Sequence, residues 1–175
     1  MIQSRRGLIV RCMIALLSVA VCSCQKQNLP SRVELVSGIR SNLAQAEVKA
    51  LTPLGSYQWN IERDVERIDR SDTSEKRKWT TIRIDDYVEL GVKGILILSF
   101  ENDRLTSTFF YPSDMTQFLK NLAYVRGIEL KSAWSQERVD GSIVGWGRNP
   151  KLGDSVFWHD ASLVAESDSW LRRND

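Results

Sequence analysis

Gly94-Ile95-Leu96-Ile97-Leu98-Ser99-Phe100-Glu101-Asn102-Asp103-Arg104-Leu105-Thr106-Ser107-Thr108-Phe109-Phe110-Tyr111 is the stretch from which the fold is read. Ile95 to Leu98, with Phe100, is an apolar run too short for a buried helix and suited to a strand covered on both faces. Glu101 to Arg104 supply turn residues, and Leu105 to Tyr111 return as the partner strand, so 94–111 reads as a β-hairpin. Upstream, Ile82, Ile84 and Val88 belong to another strand, with Gly91 and Gly94 bracketing the connection. Tyr57, Trp59 and Ile61 alternate as on a half-buried strand. Between these two, ERDVERIDRSDTSEKRK (62–78) mixes both signs of charge and reads as a solvated loop or a strand extension carrying salt bridges.

Downstream, Pro112-Ser113-Asp114 stops the hairpin and starts a helix. Asp114 is placed to cap it, with Gln117 three residues on. Met115, Phe118, Leu119 and Leu122 form its apolar stripe, and Gly127 suits its exit. Ile128, Leu130 and Trp134 read as a strand. Ile143, Val144 and Trp146 read as another after a turn at Asp140-Gly141, then a loop at 147–154 and a short strand from Val156 to Trp158. Leu163, Ser167, Trp170 and Leu171 mark a final helix capped by Asp160. Near the start, Leu35, Val36, Ile39 and Leu43, then Ala44, Val48 and Leu51, recur at helical spacing. Gly38 and Asn42 interrupt them, which predicts two short helices ended by Pro53 and Gly55. The expected class is α+β: a mostly antiparallel sheet with two short N-terminal helices, a central helix after the 94–111 hairpin and a C-terminal helix.

Residues 1–23 read as a secretory leader: Arg5, Arg6 and Arg11 precede the apolar stretch Met13 to Val21. From Cys12 to Cys24 the segment is shorter than the roughly 20 residues a membrane-spanning helix needs. Its end, Val21-Cys22-Ser23-Cys24, resembles a bacterial lipobox, in which Cys24 takes a diacylglyceryl group and is acylated on the amine exposed by cleavage. Several acyl chains anchor far more stably than one. Gln25, rather than Asp, follows Cys24, which by resemblance to enterobacterial sorting favours the outer membrane. The expected organisation is a lipoprotein signal peptide (1–23), a lipidated tether (24–31) and one globular domain (32–175).

Removing the leader takes Lys plus Arg from 24 to 21 against 22 acidic residues, and a near-neutral chain is not built for nucleic acid. All three Cys lie in the first 24 residues and there is a single His, so neither a disulfide framework, a zinc site nor another cofactor is expected. His159-Asp160 is the one acid/base pair by residue type. It lacks a nucleophile elbow such as GxSxG and reads more economically as a helix cap beside a surface His. Asp85, Asp86 and Glu89 cluster in sequence, but strand neighbours point to opposite faces, so the two Asp should diverge. Gly145-Trp146-Gly147 has no phosphate-loop spacing. Its glycines either expose Trp146 as a platform for a peptide or glycan, or permit close packing. No catalytic residue is assigned.

One resemblance rests on Asn42-Leu43-Ala44-Gln45-Ala46-Glu47-Val48-Lys49-Ala50-Leu51, followed by Thr52-Pro53-Leu54-Gly55, and on the hairpin from Leu96 to Phe109. Together these are similar to small outer-membrane lipoproteins of the SmpA/OmlA type, whose fold also occurs in secreted β-lactamase-inhibitor proteins. The family's helical motif is Gly-hydrophobic-Thr-x-x-x-Val-x-x-hydrophobic. Asn42 stands for the Gly, which left-handed backbone tolerates. Ala44 stands for the capping Thr, a loss of about 1 kcal/mol. The match spans about 33–111. The family acts by binding, and the lipobox and the shortage of acid/base groups point the same way, to a non-enzymatic lipoprotein of the cell envelope that is held in the membrane by its lipid and binds another envelope protein or the cell wall. The alternatives are a periplasmic inhibitor or immunity lipoprotein that blocks a toxin or hydrolase, and an envelope hydrolase.

Overall fold

A computed structural model describes residues 32–36, 38–69 and 76–174. The leader, Cys24 and the tether lie outside the described residues. One seven-stranded antiparallel sheet, ordered β1-β2-β3-β4-β7-β6-β5, is built from β1 (Asn60–Ile68), β2 (Lys76–Glu89), β3 (Val92–Glu101), β4 (Arg104–Pro112), β5 (Gln136–Val139), β6 (Ser142–Asn149) and β7 (Gly153–Asp160). The first four strands form one meander and the last three another, and β4 joins them by pairing with β7. Three helices accompany the sheet: α1 (Gln45–Ala50), α2 (Met115–Arg126) and α3 (Ala161–Asn174). No described helix is long and apolar enough to cross a membrane.

Turn chemistry closes the hairpins. Asn102 and Asp103, at φ +50° and +60°, close β3 onto β4, Leu90-Gly91 close β2 onto β3, and Asp140-Gly141 close β5 onto β6. Gly94 lies inside β3 rather than at a turn. A Cβ there would stand 2.3 Å from the Tyr111 carbonyl oxygen and 2.8 Å from the Phe110 ring. Of the charged 62–78 stretch, residues 62–68 and 76–78 are strand extensions: Glu66 pairs with Lys76 at 3.3 Å and Asp64 with Lys78 at 3.0 Å. These charges also mark β1 as an edge that resists further strand pairing.

One face of the sheet carries the core. Ile82, Ile84, Leu96, Leu98, Phe100, Phe110, Val156 and Trp158 are fully or almost fully buried there. Phe118 of α2 packs on Phe110 and Trp158, with ring centroids 4.9 and 6.4 Å away. As the sequence predicts, Asp114 caps α2 by accepting from the Gln117 N–H, and Gly127 ends it in left-handed backbone.

Two expectations need correction. Only the second of the two N-terminal helices forms, as α1, followed by a 3₁₀ turn at Leu54–Ser56. The first is instead a tight loop, in which the Leu35 N–H donates to the Ile39 carbonyl and the Ser41 N–H to the Val33 carbonyl. Its apolar residues still enter the core. Burial, not helicity, is what their spacing met. Gly38 takes φ +74°, and the Ser41 hydroxyl is held inside by Asp160 at 2.6 Å, an anchor a helix would have to give up. Ala44 indeed offers no capping side chain, but Glu47 accepts from the Ala44 N–H and Asp103 from the Gln45 N–H, at 2.8 and 3.0 Å. The second correction is 128–134, which is irregular. Ile128 and Leu130 pack into the core from a loop, and the strand there, β5, begins at Gln136.

Candidate functional site

The other face of the sheet is shared between α3 and an open aromatic surface. α3 sits toward the β1–β3 end, where Trp170 meets Trp79 at 5.5 Å between centroids and the Arg77 guanidinium at 5.4 Å. Asp160 starts this helix from the last residue of β7, accepting from the Ser162 and Leu163 N–H groups and the Ser162 hydroxyl.

Cross-strand register assembles the open part. Ile97, Phe109, Phe157 and Gly145 lie side by side across β3, β4, β7 and β6, and Ser99, Ser107, His159 and Ile143 form the neighbouring row. Phe109, Phe157, His159 and Ile143 are half-buried. The His159 ring stacks on Phe157 at 4.6 Å and meets Phe109 edge-on at 5.3 Å. Gly145 gives this surface its shape, because a Cβ there would stand 2.3 Å from the tip of the Phe157 ring. A Cβ on Gly147 would likewise stand 3.5 Å from the Phe157 ring.

The sequence candidates thus separate. Gly145 and Gly147 belong to the aromatic surface. Trp146 alternates to the opposite face and packs half-buried against the core. The exposed indole is Trp134, with 71% of its surface open, and its backbone at φ +75° is tied to the Trp146 carbonyl at 2.7 Å. Asp85 and Asp86 sit in a bulge, each exposed and each with its own cation, Arg83 at 2.8 Å and Lys93 at 3.0 Å, while Glu89 is buried. They do not form a paired acid site. No cluster of three or more metal-ligating side chains occurs among the described residues. The sequence does not mark Phe109 and Phe157 as surface residues, because hydrophobicity alone does not say which face of a sheet a helix will cover. Period-two alternation across β4 and β7 is the signal that groups them.

His159 is only partly exposed, and its Nδ1 lies 2.7 Å from the Ser107 hydroxyl. A hydroxyl within reach of an imidazole is the first requirement of nucleophilic catalysis. The electrostatics oppose it, since burial pushes the imidazole pKa from 6.5 down to about 4. A base that weak takes a hydroxyl proton poorly at neutral pH. Asp160, the neighbouring acid, is spent on Ser41 and the start of α3. What the arrangement does is keep a neutral imidazole inside an aromatic surface.

This burial makes stability depend on pH. The folded pKa lies below the unfolded one, so the contribution is complete above pH 6.5 and is lost as the pH falls toward 4, where the folded state also takes the proton. The expected loss is about 3 kcal/mol. Comparing urea midpoints at pH 7 and pH 4.5 should show a drop in the wild type that is largely absent in His159→Gln. Equal drops in both proteins would assign the acid sensitivity to carboxylates.

The architecture defines an α+β domain with one sheet face in the core and the other partly open. The chain matches no family model, no curated protein and no solved structure.

Proposed function

We propose that this protein is a lipid-anchored component of the bacterial cell envelope, bound to its membrane through Cys24, that works by binding rather than by catalysis. The observation that carries the binding role is the half-buried row of Phe109, Phe157 and His159 on the sheet face that α3 leaves partly open. Aromatic side chains on a rigid sheet give large contact area at small conformational cost, and such residues dominate interface energetics. The lipobox at Cys24 and the resemblance to SmpA/OmlA-type lipoproteins support the location, which is the outer membrane facing the periplasm. The partner is another envelope protein or the cell wall. Arg148, paired with Asp154 at 2.6 Å, follows Gly147 in β6 and alternates to the face of Trp146, away from the aromatic row.

The test has two arms. Cys24→Ala should abolish palmitate incorporation and release the protein from the membrane fraction. A photoreactive phenylalanine at position 157 should then give a discrete crosslinked product in living cells, and the same group at position 124, an exposed site on α2, should not. Retained labelling in Cys24→Ala removes the anchor. Equal crosslinking at the two positions removes the aromatic face as the binding surface.

A further inference from the structure

The stretch Glu62-Arg63-Asp64-Val65-Glu66-Arg67 is balanced in charge as a sequence, but a strand sends alternate side chains to opposite faces and so sorts them. Asp64 and Glu66 lie with Lys78 and Lys76. Arg63 and Arg67 lie on the face shared with α3, opposite Thr81 and Arg77 in the register. Arg77 is neutralised by Glu101 and Glu166. Arg63 and Arg67 form no ion pair with another described residue. They border a groove of about 400 Å³ that is walled by Trp79 and by Leu171 of α3. Its floor carries Thr81, Ser99 and Thr106, and the Thr106 hydroxyl donates to the Ser99 carbonyl at 3.1 Å.

We propose that this groove binds a short peptide carrying two carboxylates, one held by each guanidinium. Arginine is suited to carboxylates because its planar fork donates two parallel hydrogen bonds. Four residues along a strand separate the two Cα atoms by about 13 Å. That spacing asks for two acidic groups on separate residues of the ligand rather than one. The volume suits a small ligand and is too small for a folded surface. Trp79 and Leu171 offer apolar walls for aliphatic side chains, and the Thr81 and Ser99 hydroxyls lie beneath the path of a peptide backbone. This deepens the envelope reading and rests on it for the source of the ligand, which is the carboxylate-bearing stem peptide of the cell wall.

The experiment is calorimetric titration of the full lipidated protein in detergent. The probes are a soluble disaccharide-tripeptide fragment of peptidoglycan, the same fragment with its carboxylates amidated, and pyrophosphate. The expected result is saturable binding of the acidic fragment alone. Arg63→Gln or Arg67→Gln should weaken it at least about tenfold, and the double variant should abolish it. Arg148→Gln should leave it unchanged, and added salt should weaken it, as for any exposed charge contact. Both arginines are exposed, so the variants should keep the wild-type thermal transition, which is recorded alongside. Unchanged affinity in the double variant, equal binding of the amidated fragment, or tighter binding of pyrophosphate would each overturn the proposal. Palmitate labelling fails independently of this titration. A labelled protein that ignores the fragment loses the groove and keeps the anchor, whereas an unlabelled protein that binds it keeps the groove and loses the anchor.

Discussion

Arg77→Met is expected to lower the unfolding free energy by roughly 3–5 kcal/mol, which is the usual consequence of removing one partner from a buried ion pair. Arg77 and Glu101 are paired beneath α3, and both are almost fully buried. Removing the guanidinium leaves the Glu101 carboxylate buried without its cation. It also takes away the cation beneath the Trp170 ring and one of the two arginines that hold Glu166. The double variant Arg77→Met/Glu101→Leu should recover most of the loss, because exchanging a whole buried pair for apolar side chains is often close to neutral. Urea unfolding of the four proteins of this cycle measures the effect. A single variant that costs under about 1 kcal/mol, the range of exposed pairs, would show that the pair is solvated. A double variant as unstable as Arg77→Met would show that the loss comes from packing around Trp170.

Trp158→Ala should cost a similar amount, about 3–5 kcal/mol. This indole is fully buried between the sheet and α2 and meets the Phe118 ring. Its immediate neighbour in the chain, Phe157, points to the opposite face and is only half-buried. Phe157→Ala should therefore cost clearly less, because less surface returns to water and no closed cavity remains. The pair of variants thus separates the two faces of one strand. Trp158→Ala should disrupt folding, while Phe157→Ala should leave a folded protein with an altered proposed binding surface. Reversed costs in denaturant titrations would mean that the sheet presents its faces the other way round.

Local chemistry is what could be read without a structure. Asn102-Asp103 and Asp140-Gly141 form tight turns because Asn, Asp and Gly adopt positive φ cheaply enough for a hairpin. Asp114 and Asp160 cap helices because a short carboxylate reaches the free N–H groups of the first turn. Each effect is confined to a few consecutive residues. The failures are of the opposite kind. Residues 33–41 have helical spacing, yet the buried Ser41 to Asp160 bond spans 119 positions, and no local pattern announces it. Ile128 and Leu130 are apolar enough for a strand, but β6 already has β5 as its neighbour on that side.

The candidate sites follow the same division. The proposed lipidation of Cys24 rests on sequence alone, because processing chemistry recognises a contiguous string of residues. Gly145 and Gly147 were singled out with Trp146, but only the register shows that they belong to Phe157's face while the indole belongs to the core.

The sequence by itself determined the turns, the caps, the antiparallel α+β class and the period-two alternation that lets β1 sort its acids from its bases. Which face each set would occupy was decided by the tertiary structure alone. α2 lies on one side of the sheet and α3 on the other, and β4 joins β7 across the whole of the intervening chain, 113–152. Alternation states that neighbours diverge, but it is blind to direction. Direction comes from long-range packing, which buried Trp158, left Phe157 half-open and turned Arg63 and Arg67 toward the groove beside α3.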